Sequence, residues 1–359
     1  MNVVKIAKEL VAISSERNAT EVGNYLYRFL KELGLKPFKQ PLSSNPGFNV
    51  VSIGKGRLLV NGHMDTVPIG DEKAWKHSPY GEVAHGKLYG RGSCDTKGNI
   101  AMLLAALAER PEDTVTLTFS GVEEGDFDGI ETLMKLRKTK LRHIKYGITL
   151  EPMDGKIHVM SKGQYTFEVR ASGKAAHSSR PQLGDNAIEK LAPCIERLKW
   201  YAKRLRKRKY KQMGCPTLNI GLVSGGSAIN VVPDEAKLVI DRRVLPNEKP
   251  AQVIRRMQQA CRPLKTRVIR RIEAAETPLP SRIVSHMQRI HRAHGLDGDL
   301  YASQGTTELT GFRQNGIEGA VYGWGKIQVA HAANEYIDLK ALEKGKAVCM
   351  EILAGAARL

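Results

Sequence analysis

Seven residues able to bind a metal or move a proton stand in short polar or glycine-rich stretches of this 359-residue chain. They are His63 and Asp65 in "VNGHMDTVP", Asp95 in "GRGSCDTKGN", Glu123 and Glu124 in "GVEEG", Glu151 in "LEPMD" and His331 in "AHAANEY". His63 and Asp65 are two apart, so at an extended strand end their side chains share a side, and a nearby carboxylate can orient the second nitrogen of a ligating imidazole. Each residue alone is a weak signal. Together, two imidazoles and several carboxylates make a ligand set suited to a pair of zinc-like divalent ions. The loop "GRGSCDTKGN" has two rival readings. As a phosphate cradle it lacks the G-x-x-x-x-G-K-[ST] spacing, and the anionic Asp95 would repel a phosphate. As a nucleophile, Cys94 would need a base beside it, whereas neighbouring carboxylates keep a thiol protonated.

Strand ends and loops must hold these residues together. The runs "NVVSIGKGRLLVN" and "TVTLTFS" have strand character, and "NIAMLLAALAER" and "GIETLMKLRKT" have helical spacing between them. Strands alternating with helices predict an α/β layer fold with a mostly parallel sheet, whose functional residues gather at the C-terminal strand ends. Those ends carry "GHMD", "GVEEG" and "LEP". From about residue 163 the rhythm changes to strand "GQYTFEVRASG", helix "DNAIEKLAPCIERLKWYAKRL", strands "TLNIGLVSGG" and "AKLVIDRRV", helix "KPAQVIRRMQQAC" and strand "TRVIRRIEAA". The helix places Ile188, Leu191, Ile195, Leu198 and Leu205 on one stripe, with Pro193 as a candidate kink. This βαββαβ succession predicts a ferredoxin-like insertion over 163–275, splitting a catalytic domain into 1–162 and 276–359.

Bulk properties narrow the setting. The 42% hydrophobic and 26% charged fractions are globular values, and no apolar run reaches the roughly 18 residues of a membrane span. Charges interrupt every apolar stretch of the N-terminal region, which reads as amphipathic helix and leads to the expectation of a cytoplasmic protein. Five scattered cysteines, without a C-x-x-C pair, fit a reducing compartment. The net charge of +19 favours anionic partners. Its densest expression, "KWYAKRLRKRKYKQ" at 199–212, reads first as the solvated end of a helix and second as a surface that steers an acidic substrate or carrier protein. Trp200, Tyr201 and Tyr210 interleave it, yet no nucleic-acid module accompanies them, so nucleic acid is not expected as a partner.

Across essentially the whole chain, "GHMDTVP", "GRGSCDTKG", "GVEEG", "LEP", "AAHSSRP", "NVVPDEAKLVIDRR" and "AHAANEY" occur in an order and spacing that resemble the zinc-dependent family of aminoacylases, acetylornithine deacetylases, succinyl-diaminopimelate desuccinylases and carboxypeptidase G. The resemblance implies a zinc-exopeptidase-like catalytic domain with an inserted lid or dimerisation domain. It implies two Zn2+ ions, replaceable by Co2+: one on His63 and Glu151, the other on Glu124 and His331, with Asp95 bridging. Asp65 would orient His63, and Glu123 would be the general base for a water activated between the metals. A cis peptide is implied at Asp95–Thr96. His177, in "AAHSSRP", would enter the partner's site across a homodimer and stabilise the oxyanion. Asn230 and Arg242 would contact the substrate, Arg242 by a forked hydrogen bond to its carboxylate.

The ending "TTELTGFRQNGIEGAVYGWGKIQVAHAANEYI" is closest to the acetylornithine deacetylase branch, although Trp324 replaces the glycine-proline-glycine form common there. That branch implies removal of an acetyl group from an N-acyl-L-amino acid such as N-acetylornithine, in arginine biosynthesis. Other enzymatic readings are release of lysine or ornithine from an acidic amino-group carrier protein, a dipeptidase or carboxypeptidase, and a succinyl-diaminopimelate desuccinylase. A basic binding protein that has lost catalysis is the non-enzymatic reading, disfavoured because the whole ligand set and Glu123 are present.

Overall fold

The computed structural model describes residues 2–16, 18–111 and 113–359. They form two compact units, one comprising the chain up to Met160 with Thr277–Tyr301 and Thr307–Leu359, the other Ser161–Glu276 with Ala302–Thr306. In chain order the principal elements begin with α1 (Val3–Ala12), α2 (Thr20–Glu32), β1 (Phe38–Pro41), β2 (Phe48–Ser52) and β3 (Leu58–His63). Next come α3 (Lys97–Glu109), β4 (Thr116–Ser120), α4 (Asp128–Met134), β5 (Tyr146–Leu150) and β6 (Ile157–Ser161). The second unit contains β7 (Gly163–Ser172), α5 (Ala187–Leu205), β8 (Thr217–Gly225), β9 (Glu235–Val244), α6 (Pro250–Cys261) and β10 (Lys265–Ile272). The chain closes with α7 (Arg282–Ala293), α8 (Leu309–Gln314), β11 (Glu318–Tyr322) and α9 (Leu339–Gly355).

The sheet of the first unit runs β1-β2-β4-β3-β5-β11-β6. Its centre is parallel, through the pairs β4–β3, β3–β5 and β5–β11. The expectation of a mostly parallel sheet needs correction, because β1–β2, β2–β4 and β11–β6 are antiparallel. The physical reason lies in the connections. Parallel neighbours need a crossover, and α3 and α4 supply crossovers at the centre, whereas β1 and β2 are joined by a short loop that can only reverse the chain. β3, β4 and β5 are buried along their whole length, as strands covered on both faces must be. Helix α3 is buried all round from Lys97 to Leu107; its run of alanines lets α1 and α9 pack close against it. Leu103, Leu104 and Leu107, fully or almost fully buried, each contribute roughly 1.5–3 kcal/mol.

The second unit follows β7-α5-β8-β9-α6-β10 and forms an antiparallel sheet in the order β8-β9-β7-β10. Its core joins Tyr165, Phe167 and Val169 of β7 to Leu191 and Leu198 of α5 and Met257 of α6. Asn186 caps α5 by accepting from the backbone N–H groups of Ile188 and Glu189. The helix runs uninterrupted through Pro193, and its buried side consists of Ala187, Leu191, Cys194, Leu198 and Leu205. Ile188 lies off that side and is 44% exposed.

Candidate metal centre

The first unit brings all seven residues to one end of its parallel strands. His63 is the last residue of β3, with Asp65 two beyond it. Glu123 and Glu124 follow β4, Glu151 follows β5 directly, and His331 lies in the segment after β11. Asp95 precedes the first turn of α3, and the Asp95–Thr96 peptide is cis. Three groups of ligand atoms each lie within 4.8 Å: His63–Asp95–Glu151, Asp95–Glu124–His331 and His63–Glu123–Glu124.

Asp95 sits between the two imidazoles. Its Oδ1 is 3.0 Å from His63 Nε2 and its Oδ2 is 3.2 Å from His331 Nε2. His331 Nε2 also lies 2.8 Å from Glu124 Oε1. The Nδ1 of His63 is 2.9 Å from the main-chain oxygen of Asp65, which can only accept, so Nδ1 carries a proton and Nε2 is the atom that can bind a metal. The Asp65 carboxylate stands farther from Nδ1, at 3.7 Å, and instead accepts from the backbone N–H groups of Glu123 and Glu124, both at 3.0 Å. Asp65 therefore fixes the paired glutamates directly and meets His63 through its backbone.

Burial sets the electrostatics. It disfavours ionisation of Asp95, yet hydrogen bonds from His331 and His63 hold this carboxyl below the ordinary range. Burial also opposes a charge on His63, and Asp65, Asp95 and Glu123 reverse that and raise it. His331, held by Asp95 and Glu124, rises to about 10. Glu123 is pushed up by burial and Glu151, and Glu151 by burial and Asp95. Buried carboxyls at such separations require positive charge among them. The donor set, oxygen and imidazole nitrogen only, fits divalent ions of the zinc type, with Asp95 able to face two at once.

Residues without a role in the sequence reading hold the ligand loops. Glu335, 1% exposed, accepts from the backbone N–H groups of Cys94 at 3.0 Å and Asp95 at 3.1 Å. Its other oxygen takes a 2.6 Å hydrogen bond from Arg91, which also donates to the carbonyls of Ala332 and Pro68. One buried ion pair thus ties the loops of His63, Asp95 and His331. Asn99 clasps the backbone of Trp324, donating to its carbonyl and accepting from its N–H. The only sequence signal for these residues is their proximity to motif positions: Glu335 is four after His331, and Arg91 four before Asp95. Cys94 is fully buried and its thiol is pushed up, first by burial and then by Glu335 and Asp95, which removes it as a nucleophile.

The other expected site residues belong to the second unit. His177 is exposed, and its Nδ1 accepts from the Ser179 N–H at 3.1 Å, so that Nε2 carries the proton. Asn230 is exposed, its main-chain carbonyl accepting from the Ser178 N–H. Arg242 differs from expectation: it is fully buried, its guanidinium held by Glu248 at 2.6 Å and by the Arg243 carbonyl. Alternation along β9 explains this, since Ala236, Leu238, Ile240, Arg242 and Val244 form its buried set. Both terminal nitrogens of Arg242 are thereby engaged inside the second unit, and its buried Nε has no hydrogen-bond partner among the described residues. The half-buried Arg243 falls in the other set, bonded to Asp241 and Thr306.

The chain matches Peptidase family M20/M25/M40 over residues 59–355, a span that includes all seven residues of the centre. It belongs to this family. The M20/M25/M40 peptidase is thus a metal-dependent hydrolase whose ligand cluster fits a dinuclear centre. It is 29% identical over 276 residues to a protein named as probable succinyl-diaminopimelate desuccinylase in Staphylococcus aureus, with 68% of each chain covered. It is 28% identical over 368 residues to the acetylornithine deacetylase of Myxococcus xanthus, covering 96% of this chain and 95% of that one. A metallo-carboxypeptidase of the M20 family from Sulfolobus solfataricus has the same fold, with a TM-score of 0.82 at 21% identity and full coverage of both chains. Among the described residues, no helix is long and apolar enough to cross a membrane.

Proposed function

We propose that this peptidase-family hydrolase removes an acyl group, acetyl in the first instance, from an N-acyl-L-amino acid such as N-acetylornithine. The observation that carries the reading is Asp95, with one oxygen toward His63 and the other toward His331. In this reading His63 and Glu151 hold one Zn2+, Glu124 and His331 the other, Asp95 is common to both, and Co2+ can substitute. Such ions lower the pKa of a water and polarise a carbonyl. Glu123, anchored through its N–H to Asp65, takes the proton of the attacking water and delivers it to the nitrogen of the departing amine as the C–N bond breaks. A recess of about 220 Å³ beside Asp65 and Glu124, lined in part by Asn18, Leu42, Asn45 and Phe48, offers space for an amino-acid side chain. The likeness to an acetylornithine deacetylase over nearly the full length supports that branch, and the match to a probable desuccinylase keeps a succinyl substrate in the test.

The second unit serves in this proposal as the lid and dimerisation domain of a cytoplasmic homodimer. Supporting this, its edge strand β8 exposes Leu222 at 66% and Val223 at 67%. His177, with Nε2–H available, supplies a donor to the oxyanion in the neighbouring copy, and Asn230 contacts the substrate. The net charge of +19 and the largely exposed basic run 199–212 favour a second reading, release of lysine or ornithine from an acidic carrier protein. A hydrolysis screen decides, using N-acetylornithine, N-acetylcitrulline, N-succinyl-diaminopimelate, dipeptides and carrier-linked lysine with Zn2+ or Co2+ supplied. Preference for N-acetylornithine supports the first reading and preference for the carrier conjugate the second. Zinc-loaded protein that hydrolyses none of them defeats both.

A further inference from the structure

Glu308, in the stretch "TTELTG", is not part of the ligand set, yet it is fully buried and reaches the middle of the sheet from the N-terminal end of α8. Three neighbouring parallel strands meet its carboxyl. Oε2 accepts from Asn61 Nδ2 of β3 and, at 3.3 Å, from Thr149 Oγ1 of β5, while Oε1 accepts from Ser120 Oγ of β4 at 2.5 Å. Asn61 is held further by Thr118, which donates to its Oδ1 at 2.6 Å, and by its own 3.2 Å bond to Ser120 Oγ. Asn61, Ser120, Thr118 and Thr149 are all fully buried.

The strand register gives this network its meaning. Asn61 is level with Thr118 on β4 and with Thr149 on β5, and His63 is level with Ser120. Two residues beyond Asn61 comes His63, two beyond Thr149 comes Glu151, and shortly beyond Ser120 come Glu123 and Glu124. The carboxyl therefore joins the three strands directly beneath the row from which the ligands leave them. Apolar side chains could fill the same space and are often as stabilising as a buried polar cluster. A fully bonded polar network adds fixed relative positions, which outer partners of a metal site supply to its ligands.

We propose that Glu308 is a positioning residue for the metal centre, holding the ends of β3, β4 and β5 so that His63, Glu124 and Glu151 converge. The inference rests on reading those residues as metal ligands. Its working part is hydrogen bonding, so Glu308→Gln should preserve it: the amide oxygen can accept from Asn61 and Thr149, and the NH2 can donate to the Ser120 hydroxyl. Glu308→Ala removes all three bonds.

The test is titration of the chelator-stripped protein with Co2+ and with Zn2+ alone, followed by calorimetry and by the visible spectrum of bound Co2+. Circular dichroism and urea unfolding check the fold of each variant. Folded Glu308→Ala is expected to lose about 10–100-fold in metal affinity with an altered Co2+ spectrum, the range seen when outer partners of a metal site are removed. Glu308→Gln should stay within about 3-fold of wild type, a rescue that follows from the retained bonds. Should Glu308→Ala fail to fold, Thr149→Val removes one donor at nearly constant shape, with an expected loss of about 3–10-fold. Wild-type affinity in folded Glu308→Ala, or in Thr149→Val where the alanine variant does not fold, overturns the proposal. Absence of metal binding in the wild-type protein instead overturns the reading of the centre itself, and His63→Ala, which should bind at most one ion, separates the two failures.

Discussion

Glu123 and Glu124 are adjacent, equally tied by backbone to Asp65, and yet differ in surroundings: Glu124 meets His331, while Glu123 is deeper and is raised by burial and Glu151. In the proposed mechanism that difference suits Glu123 to proton transfer and Glu124 to ligation. Glu123→Ala should therefore cost about 100–10,000-fold in kcat while elemental analysis still finds bound zinc; full activity in the variant would falsify the assignment. Glu335 makes a second prediction at this scale. Glu335→Gln keeps an oxygen for the Cys94 and Asp95 N–H groups but leaves Arg91 as a buried cation without its counter-charge. Breaking a buried pair from one side costs about 3–5 kcal/mol, and the loss should appear in urea unfolding of the metal-free protein. The motif residues were legible in the sequence because catalytic side chains sit in short stretches whose glycines and polar neighbours break the periodic pattern. Arg91, Glu335 and Glu308 were not, because a buried ion pair or a shared carboxyl is defined by partners over a hundred residues away, which spacing does not reveal. Arg242 shows a finer limit: in "DRR", one residue of register decides which arginine enters the core.

At the level of elements, periodicity gave the helices and the βαββαβ succession, while the antiparallel flanks of the main sheet depended on loop connections that alternation alone leaves open. Gly98, in the first turn of α3, shows how an element holds the site. Alanine in a helix is ordinarily better than glycine by about 1 kcal/mol, yet a Cβ here would lie 2.2 Å from the backbone oxygen of Ser93. That oxygen belongs to the Asp95 loop and cannot swing aside as a side chain can. Gly98→Ala should therefore lower stability by about 1–3 kcal/mol and weaken Co2+ binding by displacing Asp95, both readable in one metal-dependent unfolding series. The strand network around Glu308 predicts a pH effect. Burial raises this carboxyl from its ordinary 4.5 to about 7, against the hydrogen bonds from Ser120 and Thr149. An acid raised in the folded state binds more protons there than when unfolded, so its contribution is fully present below about pH 4.5 and is lost as pH rises through about 7. The difference in unfolding free energy between Glu308→Gln and wild type, both metal-free, should shift in favour of the variant by on the order of 3 kcal/mol between pH 4 and pH 8. A difference that stays flat with pH would show that Glu308 does not titrate in that window.

At the level of the molecule, the first unit contains every residue of the ligand cluster, and the second contains His177. Metal binding and full turnover can therefore be separated, if His177 acts in a neighbouring copy as proposed. The exposed Leu222 and Val223 on the edge strand β8 provide the handle. An unpaired strand edge bearing large apolar side chains is a ready surface for another chain, and lysines on such an edge are a recognised means of blocking it. The double substitution Leu222→Lys/Val223→Lys leaves the ligand cluster untouched in sequence and should convert the proposed dimer into a monomer in sedimentation equilibrium. Zinc content should stay at the wild-type value, while kcat falls to the level of His177→Ala, about 100–1,000-fold below wild type for loss of one oxyanion donor. Adding His177→Ala to the monomeric variant should then change nothing more, because both substitutions remove the same donor. A monomer with undiminished kcat would place the oxyanion donor within the single chain and leave His177 without the role assigned to it.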